Sequence, residues 1–424
     1  MNQFEREDSL SLAFWSILGL AVLLRLMLFF VLVDPVEPDS EQYLKLAKNF
    51  YDAYVGNESR FLDLTLNRPP GYPLLLTVRS WIGRSGVLLL QILMNLSVVL
   101  MVFFMGRELF DRRAGLLGMF LIGIDPVTVI FTFKFLSETL FTALLLSAFW
   151  LIYDPERWGL PGTAVLGGFL LGFSVLVRPI SFYLPLVLVP VLVSTSTLSW
   201  KRGILWGLVF LVTFALLPGG WMVRNYYTTG EPMISNKQGD NLLNYRAAGA
   251  VAESRGITFE EASRIVEDAY SRRVDSKASL GERNRIKKQL GVEFVLDHPT
   301  GYFVSASKGA VRILLGPGRA SALELLGFDS PTEIWPDPVR ISIVLIELSV
   351  MLFIYLMTVI GLVWCFARAQ WSKLAPLCAI VLYLLVLSAG PEAYSRFRVP
   401  MVPFIALLAA PASYVCFGNH GLFE

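Results

Sequence analysis

Residues 11–33 run for 23 positions with a single charge, Arg25, and that pattern recurs along the chain. A helix needs about 20 consecutive apolar residues to cross a hydrocarbon layer, and in lipid every backbone polar group must be satisfied within the segment. Runs of this kind therefore predict spanning helices near 11–33, 86–106, 114–132, 136–153, 160–177, 180–197, 203–222, 341–366, 375–390 and 399–417. The expected fold class is an all-α polytopic membrane protein of about ten spans. Composition agrees: 55% of residues are hydrophobic and 17% charged, against roughly 25% charged in a soluble domain. The three cysteines, Cys365, Cys378 and Cys416, lie inside apolar runs, which argues against a disulfide scaffold or thiolate metal site. With only His298 and His420 available, a His-rich zinc site is excluded and His-based acid/base chemistry is disfavoured.

The charge missing from the spans is concentrated elsewhere. Residues 224–340 hold 16 basic and 15 acidic side chains, and residues 34–83 hold 12 more charges. This divides the chain into an N-terminal transmembrane module (1–223) with a first loop at 34–83, a loop domain (224–340) and C-terminal helices (341–424). With the N-terminus inside, Arg6, Arg107, Arg112, Arg113, Arg157, Lys201, Arg202, Arg368 and Lys373 face the cytoplasm. The opposite short loops then carry Lys134, Arg178, Arg396 and Arg398. Basic residues favour the cytoplasmic side, so the sequence is read as N-in and C-in in a plasma or inner membrane. Both charged loops then lie outside. The near-balance of 36 Lys+Arg and 34 Asp+Glu gives no field suited to nucleic acid. In the long loop, Thr258-Phe259-Glu260-Glu261 is a capping box opening a helix with Phe259, Ala262, Ile265, Val266, Ala269 and Tyr270 on one side. Tyr302, Phe303, Val311, Ile313 and Leu314 suggest a second helix packing on the membrane spans.

Several polar groups stand where the apolar runs end. Glu37, Asp39 and Glu41 follow the first span, and Tyr43, Leu44, Ala47, Phe50, Tyr51 and Tyr54 make an interfacial amphipathic stretch. Asp39-Ser40-Glu41-Gln42 also fits a capping box, a role compatible with chemistry at a helix mouth. In Asn67-Arg68-Pro69-Pro70-Gly71-Tyr72-Pro73 the prolines fix a non-helical approach to the membrane. That turn places Arg68 at the interface, where its fork can hold a phosphate or simply snorkel to headgroups. Asp125-Pro126 and Ser137-Glu138 bracket a short segment, and Glu138 runs directly into an apolar stretch. An ionisable group at that depth is a functional candidate, as are Arg25 and Glu347; the bland alternative is a structural Arg25–Glu347 ion pair. Arg178, Arg224, Arg396 and Arg398 each end a span on the same side, and each alone reads as an interface anchor. Together with Arg68 they converge on the face carrying Asp39, Asp125 and Glu138, which suits a lipid-linked phosphate. Walker-type, nucleophile-elbow and zincin motifs are all missing from the sequence.

These segments, in this order, resemble the GT-C class of integral-membrane glycosyltransferases. The likeness is to the protein O-mannosyltransferase-like family and the aminoarabinose transferases of lipid A. It is carried by Pro38-Asp39-Ser40 with Tyr43 and Ala47, by Arg68 to Pro73, by Asp125-Pro126 with Ser137-Glu138, and by Val177-Arg178-Pro179. It continues through Trp221, Arg224-Asn225-Tyr226, Gly230, Pro232 and Gly239-Asp240-Asn241-Leu242 to Ser395-Arg396-Phe397-Arg398. The resemblance implies a polyprenyl-phosphate sugar donor and a glycan, lipid or protein acceptor. It matches Asp39 to an acidic residue acting on the acceptor or a divalent metal ion, and Arg68 to a donor-phosphate ligand. Glu138 is preferred over Asp125 as the second acidic residue, with Asp39, Glu138 and Asp125 the candidate metal set. Arg178, Arg224, Arg396 and Arg398 join the donor-phosphate group, and Tyr43, Tyr72, Asp240 and Asn241 the substrate-binding group. The chain departs from many relatives after Asn241, reading Leu242-Leu243-Asn244-Tyr245-Arg246 where a Gly-Asn pair is common.

Two rival classes fit the apolar pattern: a flippase or secondary transporter, and a membrane scaffold. Transporters commonly show paired repeats and broken helices near the midplane. Here the ionisable residues gather near one face and the sequence shows no repeat, which favours the enzyme.

Overall fold

The computed structural model describes residues 3–31, 38–54, 68–154, 160–316, 318 and 337–417. Glu37, Asn67, Arg157 and His420 lie outside the described residues. No strand occurs among those described. The first helices are α1 (Gln3–Val31), α2 (Pro38–Tyr54), α3 (Gly71–Leu76), α4 (Arg79–Leu109), α5 (Arg112–Ile124) and α6 (Pro126–Thr132). Then come α7 (Glu138–Tyr153), α8 (Leu160–Val177), α9 (Leu184–Thr195) and α10 (Trp200–Thr229). The loop region forms α11 (Lys237–Asp240), a π-helical turn (Asn241–Ala247), α12 (Ala248–Arg255), α13 (Phe259–Arg273), α14 (Leu280–Asp297) and α15 (Pro299–Leu315). The chain closes with α16 (Asp337–Ala367), α17 (Trp371–Ser388), a 3-10 helix (Ser395–Met401), α18 (Val402–Ala409) and α19 (Ser413–Cys416).

Among the described residues each expected apolar run is mainly helical, but not all are full-length spans. Among the described residues six helices are long and apolar enough to cross a membrane, or seven if α5 and α6 count as one bent span. That pair bends by 57° at Asp125-Pro126. The cause is local: Pro126 cannot donate the helical hydrogen bond, and Asp125 adopts extended backbone (φ −61°, ψ 116°) and caps α6 by accepting from Thr128 N. The expected run at 114–132 is thus two helices. The apolar helices Glu138–Tyr153, Pro161–Val177 and Pro179–Thr195 are shorter than the rest; 17 residues reach only about 25 Å. Gly83, at φ +67°, breaks the first turn of α4 from its apolar body, a conformation open to glycine.

Most spans share one buried cluster running from Tyr43 and Tyr72 through Phe141, Phe149 and Phe210 to Phe404. A second, smaller core joins Leu243, Ala247, Val251, Ala262, Val266, Tyr270 and Leu290 in the loop helices. Both expected loop helices form. Thr258 accepts from Glu261 N and the Glu261 carboxylate accepts from Thr258 N, completing the capping box, and α13 buries Ala262, Val266 and Tyr270.

Two expectations are corrected. Helix α15 buries Gly301, Ser305, Gly309 and Ile313, one residue per turn, while Phe303 and Val311 are exposed. Small residues let the backbone approach closely, so the large side chains turn outward. Arg25 and Glu347 do not pair. Arg25 donates to Asn95 Oδ1 (2.8 Å), Ala21 O (2.8 Å) and Gly123 O (3.0 Å), the last a carbonyl at the C-terminal end of α5, where a cation is favoured. The Glu347 carboxylate instead accepts from Gly318 N.

Candidate active site

Five separate segments deliver charge to one point. Helix α2 starts at Pro38, so Asp39 lies in its first turn. Helix α7 starts at Glu138, after the chain has doubled back from α6, so Glu138 is carried at a helix N-terminus where an anion is favoured. The 3-10 helix brings Arg396 between them. Arg396 donates from Nη1 to Asp39 Oδ2 (2.8 Å) and from Nε to Glu138 Oε1. Arg178, at the head of the turn after α8, donates to the same Glu138 oxygen. Arg68 donates from Nη2 to the other Asp39 oxygen and from Nε to Gln42 Oε1 (3.0 Å).

Exposure grades across this chain of pairs. The Glu138 side chain is 0% exposed and Arg396 6%, whereas Arg178 is 15%, Arg68 13% and Asp39 33% exposed. The closed end is Glu138 and the open end is Asp39. Burial disfavours the Asp39 carboxylate, but the Arg396 and Arg68 guanidiniums outweigh it and hold the carboxyl below the usual aspartate range. Three guanidiniums against two carboxylates leave a net positive centre, fitted to an anion.

Aromatic rings floor the cluster. Arg68 sits 5.2 Å from the Tyr43 ring centroid, and Tyr43 packs edge-on against Tyr72 at 5.0 Å. Tyr43 reaches Ser137 Oγ (3.4 Å), tying α2 to the head of α7. Tyr72 is fully buried and its hydroxyl donates to Gln91 Oε1 (2.7 Å), so it supports Tyr43 from below. Arg178 lies over the Phe141 and Phe397 rings at 5.9 and 5.5 Å.

The structure thus brings together Asp39, Glu138, Arg68, Arg178, Arg396 and Tyr43. Other candidates are placed elsewhere. Asp125 is spent on the α6 cap, and among the described residues no three His, Cys, Asp or Glu side chains gather to hold a metal ion. Arg396 stands between Asp39 and Glu138, where a shared divalent cation would have to sit, so the metal set Asp39, Glu138 and Asp125 does not fit. Arg398 points away from Arg396. Two residues on a three-residue turn are 120° apart, and Arg398 donates instead to Ile313 O (3.1 Å) and Leu314 O (2.8 Å) at the end of α15. Arg224 donates to Asn225 Oδ1 (2.7 Å) beneath its own Trp221 (4.8 Å). Asp240 pairs with Lys287 (2.7 Å), and Asn241 is exposed at the start of the π-helical turn. Asp39 lies inside the first turn of α2, which starts at Pro38, and not at the N-cap position that the expected capping box requires.

Sequence reasoning passed over Gln91, Asn95, Arg246 and Arg312. Gln91 and Asn95 are polar residues inside an apolar span, and that alone could have flagged them. Gln91 fixes the segment before Glu138 by donating to Thr132 O (2.7 Å) and Lys134 O (3.1 Å). Arg246 and Arg312 sit among many other charges, without such a signal.

Residues 67–221 match the family model for dolichyl-phosphate-mannose-protein mannosyltransferase. An oligosaccharyltransferase from Archaeoglobus fulgidus, in the apo form, superposes over 94% of this chain and 50% of its own, with TM-score 0.54 and 15% identity. The chain has the GT-C fold. The archaeal oligosaccharyltransferase AglB from Archaeoglobus fulgidus, in complex with an inhibitory peptide and a dolichol-phosphate, gives TM-score 0.53 over 97% of this chain and 50% of its own, at 15% identity. The chain thus spans about half the length of the oligosaccharyltransferase structures it matches. ArnT from Cupriavidus metallidurans, in the apo state, aligns over 93% of this chain and 76% of its own at 14% identity, with TM-score 0.40. No curated protein matches the sequence. The chain is an integral membrane protein whose family-model match is confined to residues 67–221.

Proposed function

We propose that this chain transfers a sugar from a polyprenyl-phosphate donor to a hydroxyl acceptor on the extracytoplasmic side of the plasma or inner membrane. The reading rests on one observation: a net positive Arg68–Asp39–Arg396–Glu138–Arg178 chain whose most exposed member is a carboxylate. The matched family model, whose description names a dolichyl-phosphate sugar, supports a lipid-phosphate donor. So does the dolichol-phosphate in complex with AglB. In this reading residues 1–223, with the first loop at 34–83, and residues 341–424 form the membrane part. Residues 224–340 form an outer loop domain that covers the reaction face and meets a glycan, lipid or protein acceptor.

The chemistry follows from the graded exposure. The donor phosphate binds at Arg68 and Arg178, with Arg396 behind them. A phosphate competes with Asp39 for Arg68 and Arg396, so its arrival loosens the two contacts that depress Asp39 basicity. Asp39 then accepts the proton of the acceptor hydroxyl. The oxygen attacks the anomeric carbon, the bond from that carbon to the phosphate oxygen breaks, and the electron pair leaves with the lipid phosphate. The arginines stabilise the charge that develops there. Displacement in one step inverts the anomeric centre. Glu138 touches neither substrate; it holds Arg178 and Arg396 at one carboxylate oxygen.

The test is mass spectrometry of lipid retained by the full chain after extraction from its native membrane. A polyprenyl phosphate or its glycoside is expected. Retention of bulk phospholipid alone would overturn the donor assignment.

A further inference from the structure

The loop helices grip the chain on both sides of Arg396. In the last turn of α17 the Leu387 carbonyl accepts from Arg246 Nη2 in the π-helical turn, and in the segment that follows Glu392 Oε1 lies 3.4 Å from Arg246 Nε. Arg312 on α15 donates to Gly390 O (3.1 Å). Two glycines permit the contact. A Cβ at Gly309 would lie 2.4 Å from the Gly390 nitrogen and oxygen, and one at Gly249 would lie 2.2 Å from Pro391 Cγ. Just beyond Arg396, Arg398 donates to Ile313 O and Leu314 O, capping the carbonyl end of α15. Arg396 therefore sits in a span of about a dozen residues whose two ends are fastened to the same loop helices.

We propose that Arg246 and Arg312, with the close approach at Gly249 and Gly309, are positioning elements that set where the Arg396 guanidinium stands between Asp39 and Glu138. This rests on the reading of Arg396 as part of the donor-phosphate site. The pieces have that consequence because the link is short and fully held. Arg396 is six residues from Gly390 and two from Arg398, so a shift of the Gly390–Glu392 turn has little chain in which to dissipate. Neither Arg246 nor Arg312 touches the cluster, so each acts only through the turn.

The probe is undecaprenyl phosphate, with its affinity measured for the full chain in nanodiscs. Arg312→Met and Gly309→Ala are each expected to weaken binding by about tenfold, the scale of one charge-assisted hydrogen bond or a displaced ligand group, while Arg312→Lys recovers most of the loss. Lys308→Met is the control. It breaks the exposed Lys308–Glu253 pair (2.7 Å) between the same α12 and α15 helices without touching the turn, and should leave affinity unchanged. If Arg312→Met binds like the parent while Arg396→Met does not, the positioning role is overturned and the phosphate site stands. Equal loss in Lys308→Met and Arg312→Met would also overturn it, reducing the effect to loop stability. Parent-like binding by Arg396→Met would overturn both readings.

Discussion

Glu138 is the keystone of the charged chain, and its removal has a calculable cost. The side chain is fully buried, and one of its oxygens accepts from both Arg178 and Arg396. Each hydrogen bond between charged partners contributes about 1.5–3 kcal/mol, and removing one member of a buried ion pair costs about 3–5 kcal/mol because the remaining charge is stranded. Two such bonds lost together bracket the same range. In Glu138→Ala, Arg396 keeps only Asp39 as a carboxylate partner and Arg178 keeps none of the contacts it makes at Glu138. A loss of about 3–5 kcal/mol in unfolding free energy is expected on those grounds. Glu138→Gln keeps an acceptor oxygen without the charge and should lose less, about 1.5–3 kcal/mol. The assay is denaturant unfolding in mixed micelles, run as a double-mutant cycle with Arg178→Met. Because the two side chains touch, their effects should be non-additive by at least about 1 kcal/mol. Additive effects, or a Glu138→Gln variant within about 0.5 kcal/mol of the parent, would show that Glu138 does not hold the arginines.

Asp39→Asn should abolish transfer from a polyprenyl-phosphate sugar while the protein stays folded; normal turnover would remove Asp39 from the chemistry. Arg68→Ala should weaken donor binding more than acceptor binding, and equal effects on both would argue against a phosphate contact. For pH, the folded-state pKa of Asp39 lies below its unfolded value. Its contribution to stability is therefore present above about pH 4 and lost as acid titrates it below that point, a slope that Asp39→Asn should lack in acid unfolding curves. Thr258→Ala removes the α13 cap and should cost about 1 kcal/mol, seen as faster amide exchange in the first turn of α13 with α14 unaffected.

The spans were legible because burial in lipid leaves a one-dimensional trace: an apolar run of fixed length. Their interruptions were less so. Pro126 marked a boundary, but the 57° bend depends on how Asp125 caps the next helix. At the site, Asp39, Arg68, Glu138, Arg178 and Arg396 could be singled out as charges beside apolar runs, and all five meet. Their pairing was not legible. Sequence proximity suggested that Arg396 and Arg398 act alike, whereas the 3-10 geometry sends them to opposite tasks. Arg25 and Glu347 looked like natural partners as lone charges at depth, yet each found backbone groups nearer to hand. Pattern locates expensive residues; only the packing decides what satisfies them.

The inverted character of α15 bears on how this protein can be handled. Its buried face is built from small residues, its exposed face carries Phe303, Val304, Val311 and Leu315, and its last carbonyls are satisfied by Arg398 and Tyr355 from outside the loop helices. Residues 231–316 expressed alone in water would present that greasy stripe together with stripped carbonyls. Such a fragment should precipitate or demand detergent, even though its other helices are rich in charge. Vaccine fragments, antibody baits or swapped chimeras that treat this region as a detachable soluble cap would fail for that reason.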